Sequence, residues 1–195
     1  LPVTATNGNW GMDWDWGCKN LFEIKNVDTI LIEGNTFDTF YVQHQFTPIN
    51  MTNVNQSEWD SAAWMTLANV TFRNNVVKHV PQAWNLHGSY FRPVVKSDNI
   101  VIENNLYYDM DLEKYAWGST SYPNIGASSP IDNLVFRRNT FWNNRTSTTS
   151  AARALALGYF ANLHKFPTVS YDGGGEPNDG LYHGFEFYDN IVELA

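Results

Sequence analysis

The sequence predicts an all-β fold of repeated parallel strands, and three observations lead to that class. The 195 residues include 23 Asn but only 6 Lys, and 15% of them are aromatic. Because Asn and aromatic residues are poorer helix formers than Lys, Glu, Ala or Leu, this composition favours strands joined by tight turns. In addition, one seven-residue phrase occurs five times, with apolar residues at alternate positions. Internal repetition on this scale is typical of solenoids.

Each copy of the repeated phrase is a short strand that ends in asparagine, and a second short strand follows it. The copies occupy residues 29–35, 69–75, 99–105, 133–139 and 184–190, so their final asparagines are 40, 30, 34 and 51 residues apart. A constant phrase at variable intervals indicates a solenoid whose turns carry loops of different length. We therefore predict long loop insertions at residues 40–66, 111–130 and 145–183.

The second and fourth positions of the phrase predict the core. Side chains alternate faces along a strand, so these two positions point to the same side. All ten residues in the two columns are apolar, which predicts the inward face of a stack: Ile30, Val70, Ile100, Leu134, Phe185, Ile32, Phe72, Ile102, Phe136 and Phe187.

The fifth position points outward and alternates in charge, as Glu33, Arg73, Glu103 and Arg137, before ending in Tyr188. If successive turns of the chain stack about 4.8 Å apart, each carboxylate lies beside a guanidinium, which favours this register. Each exposed pair is worth only about 0–1 kcal/mol. We expect the column to help register more than stability.

The final asparagine of each phrase occupies the point where the chain turns between two strands. Asparagine tolerates a left-handed backbone and can bond neighbouring backbone groups. We expect the five side chains to hydrogen-bond one another along the stack, as side-chain ladders do. Together with the apolar columns, this predicts a parallel β-helix.

Three stretches, residues 19–35, 70–75 and 102–109, resemble bacterial right-handed parallel β-helix repeat proteins, broadly within the pectate-lyase-like superfamily. The likeness extends from about Lys19 to Val192. It implies a right-handed parallel β-helix with long loop insertions, a single domain over residues 1–195 that is part of a longer β-helix. The last phrase ends five residues before the C terminus without a capping segment, so we expect an incomplete stack of coils. The resemblance also implies an extracellular or cell-surface location.

Composition excludes several other classes. The net charge of −8 and the pI of about 4.9 argue against nucleic acid as a partner, since a basic face is needed for phosphates. No apolar run approaches the roughly 20 residues of a membrane-spanning helix, so we expect no membrane insertion. Cys18 is the only cysteine, which excludes an internal disulfide and a zinc site made of thiolates.

The first candidate site is the acidic stretch of residues 109–118. Asp109, Asp111 and Glu113 stand at alternate positions and can converge on Ca²⁺, which prefers several oxygen ligands. The resemblance implies that such carboxylates bridge an acidic sugar while Lys114 abstracts the proton beside its carboxylate, as in calcium-dependent β-helix lyases. Alternatively, Asp109 and Asp111 share a strand face about 6.5 Å apart, within the range for glycoside hydrolysis. The alternative is that residues 109–118 form a solvated loop that binds no ligand.

Four residues are predicted to bind substrate. Trp14 and Trp16 alternate with carboxylates, and indole rings of this kind stack on the apolar faces of sugars. Trp117 lies within the acidic stretch, and Arg138 stands outside the alternating charge column. The alternative to substrate binding is that Trp14 and Trp16 are buried side chains of a strand and that Trp117 only fills space in the packing. The five histidines show no metal spacing and are expected to be structural or surface residues.

These features favour a secreted carbohydrate-active protein that binds a polysaccharide and, if it is an enzyme, cleaves it as a lyase or a glycoside hydrolase. The lyase form of the hypothesis implies Ca²⁺ as cofactor. The alternative is a non-enzymatic structural or adhesive β-helix, such as a filament subunit or fibre module, that self-assembles through its coil ends.

Overall fold

The computed structural model describes residues 19–40, 47–55, 64–90, 95, 97–115, 125–142, 155–157 and 183–192. These residues form fifteen strands and one four-residue helix. No helix among them is long and apolar enough to cross a membrane. The protein is all-β with parallel sheets, which confirms that part of the prediction.

The strands follow one another in groups of three, called units 1 to 5 here. In chain order they are β1 (Phe22–Ile24), β2 (Val27–Glu33), β3 (Thr36–Asp38); β4 (Ile49–Val54), β5 (Leu67–Arg73), β6 (Val76–Val80); β7 (Trp84–Tyr90), β8 (Asp98–Glu103), β9 (Leu106–Met110); β10 (Ile125–Ser129), β11 (Asp132–Arg137), β12 (Thr140–Trp142); and β13 (Leu155–Leu157), β14 (Glu186–Tyr188), β15 (Ile191–Val192). The helix α1 (Leu112–Tyr115) follows β9.

Each unit contributes one strand to each of three five-stranded sheets. The first sheet has the order β1-β4-β7-β10-β13, the second β14-β11-β8-β5-β2 and the third β15-β12-β9-β6-β3. All of the pairings are parallel, and each joins strands three apart in sequence. This arrangement is compatible with the predicted parallel β-helix. It also explains why the repeat intervals vary, because insertions between strands do not change the pairing.

The second sheet contains the repeated phrase in the predicted register. Ile30 aligns with Val70, Val70 with Ile100, and Ile100 with Leu134. The aligned apolar residues of units 2 to 4 are buried in one core cluster: Val70, Ile100, Leu134, Phe72, Ile102 and Phe136. In the end units, Ile30, Phe185 and Phe187 are only partly buried and pack against this cluster. The predicted inward columns are confirmed.

The predicted asparagine ladder is present along the corner between the second and third sheets. Asn75, Asn105 and Asn139 are at most 2% exposed. Oδ1 of Asn105 accepts from the backbone N–H (2.9 Å) and from Nδ2 (3.2 Å) of Asn75, and Nδ2 of Asn105 donates to the Phe72 carbonyl (3.0 Å). The same pattern joins Asn35 to Asn75, Asn105 to Asn139 and Asn139 to Asn190. Each interior amide is therefore satisfied on both its oxygen and its nitrogen, as a buried polar group requires.

The left-handed backbone conformation falls one residue before each ladder asparagine. The residues with positive φ at this corner are Gly34 (71°), Asn74 (57°), Asn104 (53°), Arg138 (55°) and Asp189 (53°). Asn and Asp adopt this region more readily than Arg does, because a short polar side chain can bond locally. The ladder asparagine thus contributes the hydrogen bonds of its amide side chain, whereas the residue before it adopts the left-handed conformation of the turn.

The alternating charge column forms separate ion pairs. Nε of Arg73 lies 3.0 Å from Oε1 of Glu33, and Nε of Arg137 lies 2.7 Å from Oε2 of Glu103. The Arg137 guanidinium also donates to the Tyr188 hydroxyl at 3.2 Å. Oppositely charged side chains therefore pair between units 1 and 2 and between units 3 and 4. Because this face is exposed, each ion pair contributes little to stability.

Candidate functional site

In the third sheet, the strands of units 2 and 3, β6 and β9, each have two consecutive outward-facing residues. In β6, Val77 and Val80 are both buried, so Lys78 and His79 between them face outward. In β9, Tyr107 and Met110 are buried in the same way around Tyr108 and Asp109. Strict alternation would place only one of two neighbours outside.

A stacked column of left-handed residues causes this break in alternation. Thr39, His79 and Asp109 have φ of 60°, 53° and 49°, and they occupy equivalent positions at the ends of β3, β6 and β9. A non-glycine residue in this region costs about 1–2 kcal/mol. Strained positions of this kind concentrate at functional sites, so this edge of the third sheet is the candidate functional site.

His79 bridges two carboxylates from neighbouring units. Its Nδ1 lies 2.6 Å from Oδ1 of Asp38, and its Nε2 lies 3.5 Å from Oδ2 of Asp109. The shorter contact is a full hydrogen bond, whereas the longer one exceeds ordinary hydrogen-bond length. Asp38 therefore holds one imidazole nitrogen and leaves the other directed toward Asp109.

Asp109 receives two further donors from helix α1. Nζ of Lys114 lies 3.0 Å from Oδ2 and 3.3 Å from Oδ1 of Asp109, and the Tyr115 hydroxyl donates to Oδ2 at 2.9 Å. The helix is held in place by Asp111, whose Oδ1 accepts from the Lys114 N–H at 3.0 Å. Asp111 is an N-cap residue, and it places Lys114 and Tyr115 on the Asp109 carboxylate.

The charges around Asp38 stabilise its ionised form. The hydrogen bond from His79 is the main cause that lowers the pKa of Asp38, with a smaller effect from Lys78. Nζ of Lys78 lies 3.3 Å from Oδ2 of Asp38, and the hydrogen bond between them raises the pKa of Lys78. The two groups remain an ion pair at neutral pH.

The pKa values around Asp109 shift in the same sense. Partial burial acts to raise the pKa of Asp109, but the hydrogen bonds from Lys114 and Tyr115 outweigh it, so the pKa is lowered. Tyr115, and after it Asp109, raise the pKa of Lys114 by hydrogen bonding. Burial raises the pKa of Tyr115. Lys114 is thus a stable ammonium, which suits the binding of an electron-rich group better than proton abstraction.

Aromatic rings continue the outward column that begins with this cluster. The third sheet aligns Asp38 with Lys78, Lys78 with Tyr108, and Tyr108 with Trp142. The Trp142 side chain is 53% exposed. Neighbouring levels of a sheet are about 4.8 Å apart, so two charged groups and two ring faces form one continuous strip.

The structure brings together two of the residues predicted to be catalytic and separates the third. Asp109 and Lys114 are in contact, as described above. Asp111 does not share a strand face with Asp109, because β9 ends at Met110 and Asp111 begins helix α1, where it is only 4% exposed. Asp109 and Asp111 therefore do not form the expected carboxylate pair for hydrolysis. Asp109 lies on the outward face of β9, whereas Asp111 caps helix α1.

The remaining predicted residues have different outcomes. Trp14, Trp16 and Trp117 lie outside the described residues, as does the Glu113 side chain. Arg138 is exposed at the corner between the second and third sheets, where its backbone N–H donates to the Tyr188 carbonyl. Its role in substrate binding remains a prediction.

The described carboxylates do not form a calcium site. No group of three His, Cys, Asp or Glu residues in this part of the chain can hold a metal ion. Asp109 faces the Lys114 ammonium and the Tyr115 hydroxyl, and Asp111 caps a helix, so neither has the shared oxygen cage that Ca²⁺ needs. Calcium binding stays a prediction that depends on residues outside the described ranges.

The sequence analysis missed Asp38, Lys78, His79 and Tyr115, although a signal for three of them was present. The ladder asparagines of units 1, 2 and 3 are followed three and four residues later by an outward doublet: 38–39, 78–79 and 108–109. Alignment on the asparagine column would have placed Asp38, His79 and Asp109 in adjacent levels. Tyr115 carries no such signal, because it reaches the site through the helix.

Comparison with protein-family models, curated proteins and solved structures finds no match to this chain. The site is therefore interpreted from its own geometry.

Proposed function

We propose that the chain is a right-handed parallel β-helix of the secreted, carbohydrate-active kind, and that it binds a polysaccharide along the outward face of its third sheet. The three parallel sheets, with every strand paired to the one three positions away, support the architecture. The observation that carries the function is the strip formed by Asp38, Lys78, Tyr108 and Trp142 beside the bridging His79.

The strip has the chemistry that an extended glycan requires. Aromatic rings offer apolar surface to sugar faces, and charged groups beside them accept from and donate to hydroxyls. Tyr108 and Trp142 supply the rings, while Lys78 and Lys114 supply ammonium donors. Because the four positions lie along the sheet on successive units, a linear chain fits them better than a compact ligand.

The bridging histidine supplies chemistry for cleavage. A carboxylate that holds one imidazole nitrogen fixes the ring's orientation and leaves the other nitrogen for proton transfer. Asp38 holds Nδ1 of His79, so Nε2 is the proton-transfer atom, and it faces Asp109. We propose that His79 and Asp109 act as the acid–base pair on a bound glycan, with Lys114 and Tyr115 holding the Asp109 carboxylate. In this proposal Lys114 binds and orients, since its ammonium stays protonated.

The test compares matched tryptophan variants on a panel of neutral and acidic polysaccharides. Trp142→Ala removes one of the two rings of the strip, whereas Trp64→Ala removes an indole that is 69% exposed and precedes β5 of the second sheet. We expect Trp142→Ala to weaken the dissociation constant, measured by calorimetry, by about tenfold or more while Trp64→Ala leaves it unchanged. Equal effects of the two variants, or no binding to any polysaccharide, would contradict the proposal.

Cleavage is tested separately from binding. New reducing ends report hydrolysis, and the ultraviolet absorbance of an unsaturated product reports a lyase. We expect His79→Gln to abolish either signal while the dissociation constant changes little. If no polysaccharide binds and light scattering shows filaments, the non-enzymatic structural reading replaces this one, since exposed sheet edges favour assembly.

A further inference from the structure

The cluster around His79 on the third sheet holds two ammonium groups and two carboxylates. Lys78 and Lys114 are the cations, and Asp38 and Asp109 are the anions. The strands β12 and β15, farther along the same face, contain no charged residue. His79 adds a positive charge only when it is protonated. The described side chains of this face therefore carry no net charge while the imidazole is neutral.

Lys78 is already paired within its own column. Its Nζ lies 3.3 Å from Oδ2 of Asp38 and 5.9 Å from the centre of the Tyr108 ring. The hydrogen bond to Asp38 is the main cause that raises the pKa of Lys78, so the ion pair persists at neutral pH. A ligand carboxylate could reach this ammonium only beside the Asp38 carboxylate, and like charges at neighbouring positions repel each other.

Lys114 is paired in the same way, although its side chain is 54% exposed. Its Nζ lies 3.0 Å from Oδ2 of Asp109 and 4.7 Å from the centre of the Tyr115 ring. An acidic sugar that approaches Lys114 therefore meets an ion pair and not a free cation. Each ammonium has three N–H donors, so both lysines can still donate to hydroxyl groups.

The neighbouring corner carries the same balance of charge. Arg138 and Asp189 are the left-handed residues that precede the ladder asparagines Asn139 and Asn190. They occupy equivalent positions in units 4 and 5, about 4.8 Å apart along the sheet. Both are exposed, so the one arginine near the strip has a carboxylate at the next level.

An acidic polysaccharide requires a different surface from this one. A polyuronate carries a carboxylate on every sugar, and its binding needs a row of cations that are free of internal partners. The net charge of −8 also repels a polyanion at low salt. A neutral chain needs only ring faces and hydrogen-bonding groups, and Tyr108 and Trp142 supply the rings.

We propose, building on the polysaccharide-binding function above, that the ligand of the strip is a neutral polysaccharide and that the internal ion pairs of Lys78 and Lys114 exclude acidic ones. Asp38 and Asp109 are then specificity-determining residues in addition to their contacts with His79. They neutralise the ammonium groups and leave their remaining N–H donors for sugar hydroxyls.

The test uses polysaccharides that differ only in charge. Polygalacturonate, alginate and hyaluronan are each compared with their carboxyl-reduced forms by calorimetry, in the wild type and in Trp142→Ala. We expect at least one reduced form to bind about tenfold or more tightly than its acidic parent, and Trp142→Ala to weaken that binding about tenfold. The dissociation constant of the reduced form should stay nearly constant between about 0.05 and 0.5 M salt.

Two variants with the same change in net charge test the local ion pair. Asp38→Asn leaves Lys78 without its carboxylate and should lower the preference for the reduced form by about tenfold. Asp98→Asn removes an exposed carboxylate on the second sheet and should leave the preference unchanged. Equal effects of the two variants would show that the pairing of Lys78 does not set the specificity.

The outcomes separate this inference from the function on which it rests. An acidic parent that binds as tightly as its reduced form, and loses affinity in Trp142→Ala, would overturn the neutral class while polysaccharide binding stands. The absence of any binding that depends on Trp142 would overturn both. If Asp38→Asn does not fold, the salt dependence of the wild type decides, because an acidic parent whose affinity falls steeply with salt has found unpaired cations.

Discussion

Nδ1 of His79 lies 2.6 Å from Oδ1 of Asp38, and this contact joins two neighbouring units on the outward face of the third sheet. Both residues belong to the doublets that follow the asparagine ladder. The contact depends on the left-handed conformation of His79, because regular alternation would turn its side chain toward the core. A local backbone irregularity therefore brings His79 to the outward face, where it contacts Asp38.

The first prediction concerns the ionisation of Asp38. Because the hydrogen bond from His79 is the main cause of its lowered pKa, His79→Ala should raise the Asp38 pKa toward the ordinary aspartate value. The measurement is a carboxyl NMR titration of both proteins, with His183→Ala as a histidine control. An unchanged Asp38 pKa in His79→Ala would show that the contact does not exist in solution.

The same contact sets the direction of a stability change with pH. A carboxyl whose pKa is lowered by folding stabilises the protein above its unfolded pKa, and this contribution is lost as pH falls through the lowered value. Wild type and His79→Ala should therefore differ in melting temperature at neutral pH and converge in acid. A difference that grows on acidification would contradict this assignment of Asp38.

The second prediction separates a structural role of Asp111 from a metal-binding one. Its carboxylate caps helix α1 through the Lys114 N–H, so Asp111→Ala should cost about 1 kcal/mol in free energy of unfolding. Asp111→Ser keeps a capping oxygen and should stay within a few tenths of a kcal/mol of wild type. Both are measured by urea unfolding, with and without added Ca²⁺.

A calcium ligand would behave differently from a cap. If Asp111 binds Ca²⁺, the ion should stabilise the wild type by mass action, and both substitutions should remove that stabilisation. We expect no calcium-dependent difference between wild type and Asp111→Ser, because the carboxylate is buried and already engaged with the helix.

The third prediction tests the asparagine ladder. Asn105→Ala removes the acceptor of the Asn75 N–H and Nδ2, and also a donor to the Phe72 carbonyl, all within a buried corner. Orphaned groups of this kind should lower the free energy of unfolding by about 3 kcal/mol in total. Asn35→Ala, at the exposed end, leaves the Asn75 amide with other partners and should cost less than about 1 kcal/mol. Equal losses in urea unfolding would mean that the ladder does not act as a buried network.

The all-β class with parallel sheets and its inward apolar columns were predictable from sequence, and the site was not, for physical reasons. Columns such as Val70, Ile100 and Leu134 repeat because each level of a stacked core needs the same inward apolar residue, so repetition reveals them. Outward residues face different neighbours at each level, and Asp38, Lys78 and Tyr108 share a column without sharing chemistry. Their significance appears only when levels are compared with one another.

The helix at Asp111 illustrates a second limit. Alternating carboxylates predict one face of a strand, but an aspartate followed by Leu112 and Lys114 is also a helix N-cap followed by good helix formers. Local pattern alone does not decide between the two. The left-handed Asp109 ends the regular strand alternation, and the chain then turns into the helix.

The last prediction uses a column in which one position departs from its neighbours. Thr29 has a φ of 68°, and the equivalent residues Asn69, Asn99 and Asn133 have φ of 50–55°. Asparagine tolerates this region, whereas a β-branched residue is strained there. Thr29→Asn should therefore raise the free energy of unfolding by about 1 kcal/mol, or the melting temperature by roughly 2–4 °C. The lost Thr29 hydroxyl bond to Asp28 is exposed and contributes little. Thr36→Asn is the matched control, because Thr36 lies in β3 without a positive φ, and asparagine there should lower stability slightly. If calorimetry shows the same shift for both variants, the left-handed strain at Thr29 is not the cause.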